Sequence, residues 1–122
     1  MLLKECYDAF GGSYESVKER ISKDEIIEKF VKKFLNDLSY SNLCQAVEQE
    51  DYEEAFKAAH SLKGVCANLG FANLTASVSN LTELLRDSSN KVIDKDECIA
   101  LFEQVSEDYF QVEESISKYA DS

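Results

Sequence analysis

From Cys98 to Tyr119 the apolar residues recur at steps of four and three: Cys98, Phe102, Val105, Tyr109, Val112, Ile116 and Tyr119. That spacing keeps one stripe of a 3.6-residue helix apolar along the whole stretch. A strand, whose side chains alternate with a period of two, cannot use it. Asp94 stands where a carboxylate can accept the first free amides of such a helix. A helix this long with one apolar side needs other helices to cover that side. The chain contains no proline to interrupt them.

Three more seams supply the cover. Ala55, Ala59, Leu62, Cys66 and Leu69 line one side of a run from Tyr52 to Leu69. Gly70 then offers a left-handed cap, and Phe71, Leu74, Val78, Leu81 and Leu85 begin a second seam immediately. So short a connection predicts an antiparallel hairpin. Upstream, Ser22 is placed to cap a helix over 23–38, with Ile27, Val31, Phe34 and Leu38 as its seam, widened by Ile26 and Phe30. A shorter helical segment, Asn42 to Gln49, starts from Ser39 or Ser41, and the acidic stretch 48–51 reads as a bend. Residues 87–90 read as a loop. Before residue 23, two short helices are expected: residues 2–9, ending at Gly11-Gly12, and 14–21, capped by Ser13. They are read as a cover over one end. The expected fold is all-α: an antiparallel up-down four-helix bundle (23–119) with extra short N-terminal helices (1–22), one domain over 1–122. Seams mixing Phe with β-branched residues favour a monomer with a packed core over a two-stranded coiled coil.

The formal net charge is −11. A surface so acidic repels nucleic acid and anionic lipid, so neither is an expected partner. The four cysteines, at 6, 44, 66 and 98, are scattered singly, which fits neither a zinc site nor a disulfide framework. No apolar run approaches the ~20 residues of a membrane span, and the N-terminus has no signal-peptide core. A cytoplasmic protein is expected, and Met1 favours one that stands alone over an excised domain. Gly11-Gly12 is too little for a nucleotide-phosphate loop.

Against that background one stretch stands apart. His60 is the only histidine, and residues 55–70 hold Lys57 and Lys63 but no carboxylate. On a helix, His60 shares its face with Glu53, Lys57, Gly64 and Ala67, opposite the apolar seam. Glycine inside a helix costs about 1 kcal/mol relative to alanine. On an exposed face no core contact explains Gly64, but it leaves the backbone bare beside the imidazole. An exposed imidazole is in part neutral, and therefore nucleophilic, near neutral pH. Lys63 at i+3 and Lys57 at i−3 can offset the charge of an anion attached to the ring. These features point to a phosphoryl group carried on His60.

Ala59-His60-Ser61-Leu62-Lys63-Gly64, followed by Gly70, resembles the A-H-x-L-K-G-x5-G signature of histidine-containing phosphotransfer (HPt) domains. The resemblance spans roughly residues 23–119. It implies a helical bundle that accepts a phosphoryl group on His60 from a receiver-domain aspartate and passes it to another receiver, with no kinase activity of its own. It further implies that the receiver brings the Mg²⁺, so no cofactor is expected here, and that receivers of response regulators or hybrid kinases are the partners. In this reading Lys63 steadies the phosphate charge and Gly64 admits the receiver. Lys57, Ala67 and Gly70 are candidate docking residues. The alternative is an HPt-like adaptor that binds receivers without being phosphorylated. Hydrolytic chemistry fits less well, since Glu53 lies two turns from His60, Glu54 is rotated off its face, and Ser61 sits about 100° away.

Overall fold

A computed structural model describes residues 1–122 and contains seven α-helices: α1 (Leu3–Ala9), α2 (Tyr14–Arg20), α3 (Asp24–Phe34), α4 (Ser39–Glu48), α5 (Tyr52–Leu69), α6 (Ala72–Leu85) and α7 (Lys95–Ala120). A 3₁₀ turn, Ser88–Asn90, lies in the loop before α7. There are no strands. Twenty-six buried hydrophobic residues form one continuous core. Consecutive helices from α4 to α7 pack side by side as hairpins, and none is long and apolar enough to cross a membrane.

The four-three seams face this core. Ala55, Ala59, Leu62 and Cys66 of α5 are fully buried, as are Leu74, Val78, Leu81 and Leu85 of α6. The α7 seam does the same at Val105, Val112 and Ile116. Asp94 caps α7 by accepting the Glu97 amide at 3.1 Å. Ser13 caps α2 by accepting the Ser16 amide at 3.2 Å.

The expected helix 23–38 is cut short at Phe34. Its N-cap is Lys23, without a side-chain bond, and Ser22 stays exposed. The helix ends at Phe34 because the Leu35, Asn36 and Asp37 amides bond three residues back, to the Lys32, Lys33 and Phe34 carbonyls. These 3₁₀-type bonds tighten the last turn and end the α-helix. The Asp37 carboxylate then accepts the Ser39 amide at 2.9 Å and starts α4 at the earlier of its two expected starts. Leu38 therefore leaves the seam and is 69% exposed, and Ile26 and Phe30 also face outward. Only Ile27, Val31 and Phe34 are buried from α3. α4 takes the place along α5 and reaches α7 through Tyr40. That ring stacks on Tyr109 at 3.8 Å, and its hydroxyl donates to Ser106 Oγ at 2.8 Å.

The N-terminal helices close over the turn between α5 and α6. The Tyr7 hydroxyl donates to the Leu69 carbonyl at 2.6 Å, and the Ser13 amide to the Gly70 carbonyl at 2.7 Å. Phe71 meets Phe10 and Phe34 edge-on, each at 5.0 Å between centroids. Arg20 donates to the carbonyls of Ala67 and Asn68, both at 2.9 Å, completing the C-terminal end of α5.

Gly70 makes that junction possible. Its φ of 72° is left-handed, and a Cβ there would meet the Ser13 carbonyl oxygen at 2.7 Å. Gly70→Ala is expected to lower the unfolding free energy by about 1–3 kcal/mol, from the strained φ and the backbone clash together. Urea denaturation checks this: the midpoint should fall while the slope stays unchanged.

Candidate functional site

The rotation of α5 is fixed at both ends. Asp51 accepts the Glu54 amide at 3.2 Å, after Glu50 turns the chain with a φ of 55°. Gly70 stops the helix at the other end. With the seam buried between these points, His60, Lys57, Ser61, Gly64 and Ala67 are exposed and Lys63 is half-buried. His60 lies about 15 Å along the helix from Gly70, at 1.5 Å per residue, so the N-terminal helices do not roof it.

Neither ring nitrogen of His60 hydrogen-bonds to another residue, and Ser61 makes no bond to it. An imidazole with no orienting carboxylate and no paired nucleophile lacks the parts of a hydrolytic triad. No group of three or more His, Cys, Asp or Glu side chains is placed to hold a metal ion. The face around His60 is open, and the grooves beside it lie elsewhere. One, of about 470 Å³, runs between α4 and α5 past Gln45, Lys57 and Ser61. A larger one, of about 780 Å³, has an apolar floor of Phe30, Phe34, Val65 and Leu69, with Arg20 and Lys33 also lining it. A nucleophile on an open face suits a macromolecular partner better than a small substrate, which needs a concave site.

The two lysines differ. Lys57 is paired with Glu54 at 3.2 Å, both largely exposed. Lys63 has no ion-pair partner. It does lie close enough to Glu83 of α6 to help hold that carboxyl below the usual carboxylate range, after the larger effect of Arg86. Lys63 is thus a cation with no ion pair to break before it turns to an incoming anion.

Gly64 faces empty space: a Cβ built there meets nothing within 4 Å. Nothing inside the chain requires glycine at this position. Ala67 is exposed and its carbonyl is taken by Arg20. Gly70 does not fit among the docking residues. It is buried beneath Ser13 and Val17, and its role is to end the helix.

Two residues near the site, Phe56 beside His60 and Arg86 beside Phe56, had no part in the sequence reading of it. Phe56 stacks on it at 5.9 Å with ring planes 18° apart. The Arg86 guanidinium lies over Phe56 at 5.4 Å while its nitrogens reach Glu83 at 2.8 and 3.2 Å. Phe56 was legible as the i−4 neighbour of His60. Arg86 was not, because its approach depends on how α6 docks on α5.

The vacant space at Gly64 gives a prediction opposite in sign to that for Gly70. Gly64→Ala is expected to stabilise the isolated chain by roughly 0.5–1 kcal/mol, as helix propensity alone dictates. Chemical denaturation of the two alanine variants side by side tests this contrast.

No curated protein and no solved structure matches the chain. The family model of the Hpt domain matches residues 25–118, which takes in the α3–α6 region, the His60 face and nearly all of α7. The chain belongs to the Hpt domain family, the phosphocarriers that work with receiver domains in the phosphorelays of two-component signalling.

Proposed function

We propose that His60 is the phosphoacceptor, taking a phosphoryl group from a receiver-domain aspartate and handing it to another receiver. The observation that carries this reading is the open His60 face: an exposed imidazole with free ring nitrogens, a lysine without an ion pair, and empty space over Gly64. In the transfer, the neutral Nε2 lone pair attacks phosphorus and an N–P bond forms. The acyl O–P bond breaks and the aspartate leaves as carboxylate. Return of the group to a second aspartate is the same step reversed. Such a transfer depends on in-line placement and charge compensation. Lys63 supplies one positive charge from this chain, and the receiver brings its own metal ion. Lys57, already paired with Glu54, plays a lesser part.

Gly64 lets the receiver's surface come down onto the α5 backbone, with Ala67 keeping the next turn low. The apolar groove at Phe30 and Val65 borders this face and offers a surface for a helix of the receiver. Without a nucleotide-phosphate loop the chain takes phosphate from a phosphorylated partner and not from ATP.

The test uses a panel of receiver domains preloaded with acetyl phosphate. Mixing should move acid-labile, base-stable phosphate onto this chain, and His60→Gln should abolish the signal while still binding the receiver. Binding without label in both proteins would identify an inert adaptor. Lys63→Ala should slow transfer by about tenfold while changing docking affinity less than about threefold, since an ion contact formed in the transition state adds to rate more than to binding. Gly64→Leu should weaken docking and transfer together. Equal rates in all these variants contradict the roles assigned.

A further inference from the structure

His60 does not stand alone on its helix. Helical side chains lean toward the N-terminus, so the imidazole lies over the preceding turn, where Phe56 sits. The two rings are nearly parallel, 18° apart with centroids at 5.9 Å. Phe56 is half-buried against the core, so its ring is not free to swing away. On it rests the Arg86 guanidinium, 5.4 Å from the ring centroid. Arg86 follows the last turn of α6, and two bonds to Glu83, at 2.8 and 3.2 Å, fix its plane. The phenyl ring thus bears directly on the only histidine, and the guanidinium bears on the phenyl ring. As a surface ion pair, Arg86–Glu83 contributes little to stability. Its position over Phe56 gives it a different use.

We infer that Phe56 and Arg86 are positioning residues for transfer at His60, a guanidinium–phenyl clamp that restricts the imidazole to the orientation from which Nε2 meets the receiver. The inference rests on the phosphoacceptor reading above. An exposed ring on a helix otherwise samples several rotamers, and only one aligns with the P–O bond to be broken. Restricting the ring before docking adds to rate and leaves the docking contacts unchanged. Glu83 belongs to the device because it holds the guanidinium in place. Lys63, beside the same carboxylate, remains available to the phosphate.

The experiment compares wild type with Phe56→Leu, Phe56→Tyr and Arg86→Gln, using the receiver that transfers fastest to wild type. In the unphosphorylated proteins, NOEs should connect the His60 ring protons to the ring of residue 56 in wild type and F56Y, as the adjacent rings require. Single-turnover transfer should slow about three- to tenfold in F56L and R86Q, the range an aromatic contact of ordinary strength gives. F56Y should stay within about twofold of wild type, and receiver affinity should hold within about twofold throughout. The R86Q deficit should persist at about 0.5 M salt, where simple attraction between exposed charges is screened. Absence of these NOEs in wild type overturns the clamp. So do equal transfer rates, a deficit in R86Q that disappears with salt, or a failure of F56Y to restore the rate. A wild-type chain that accepts no phosphate from any receiver overturns the phosphoacceptor reading itself. Normal transfer in F56L alongside a labelled wild type overturns only the clamp.

Discussion

The burial of one seam on α5 decides everything outward of it. Ala55, Ala59, Leu62 and Cys66 are fully enclosed by the neighbouring helices, and this leaves α5 a single rotation about its axis. A turn of 100° would expose Leu62 and bury Lys57 or His60, at a cost of several kcal/mol from the apolar and polar sides together. His60 therefore faces water because of residues on the opposite side of its own helix. The small side chains of the seam, Ala55 and Ala59, also let neighbouring helices come close.

The C-terminal end and the middle of α5 carry different duties. At the Gly70 end, chain reversal, aromatic packing and hydrogen bonds from Tyr7, Ser13 and Arg20 satisfy the terminal carbonyls and bury the turn. Nothing similar covers the middle of the helix, where His60, Ser61 and Gly64 lie exposed. The two glycines of α5 and its cap illustrate the division. Gly70 is demanded by a positive φ and a close carbonyl, whereas Gly64 sits in ordinary helix with open space before it. The first serves the fold. The second is required by nothing inside the molecule, which is why it enters the proposal as room for an approaching receiver.

Much of this was legible in the residues, because a 3.6-residue period reports directly which side of a helix is buried. The limits of α5, the Gly70 cap, the Ser13 and Asp94 caps and the outward face of His60 all follow from local pattern. Where the reading failed, local pattern met a competing local bond. The seam from Ile27 was read as running on to Leu38, but the Asp37 carboxylate offered the backbone an alternative and accepted the first amide of the next helix at Ser39, one of the two starts the sequence offered. Ile26 and Phe30, counted as core, were left outside. Gly70 was expected both to cap α5 and to take part in docking, and only the first fits its burial. The packing of Ser13 and Val17 against it rules out the second. The approach of Arg86 to Phe56 depends on the register between α5 and α6, which no one-dimensional pattern encodes.

The exposed His60 face of this Hpt-family chain is the basis for proposing that the phosphoryl group is carried on Nε2 of His60. The most direct test labels the imidazole nitrogens with ¹⁵N and records their coupling to ³¹P after exposure to a phosphorylated receiver domain. A one-bond nitrogen–phosphorus coupling at Nε2 of His60, in the folded protein, is the result this account requires. Phosphate on any other residue, or an unmodified ring after a competent receiver has bound and lost its phosphate to water, would contradict it.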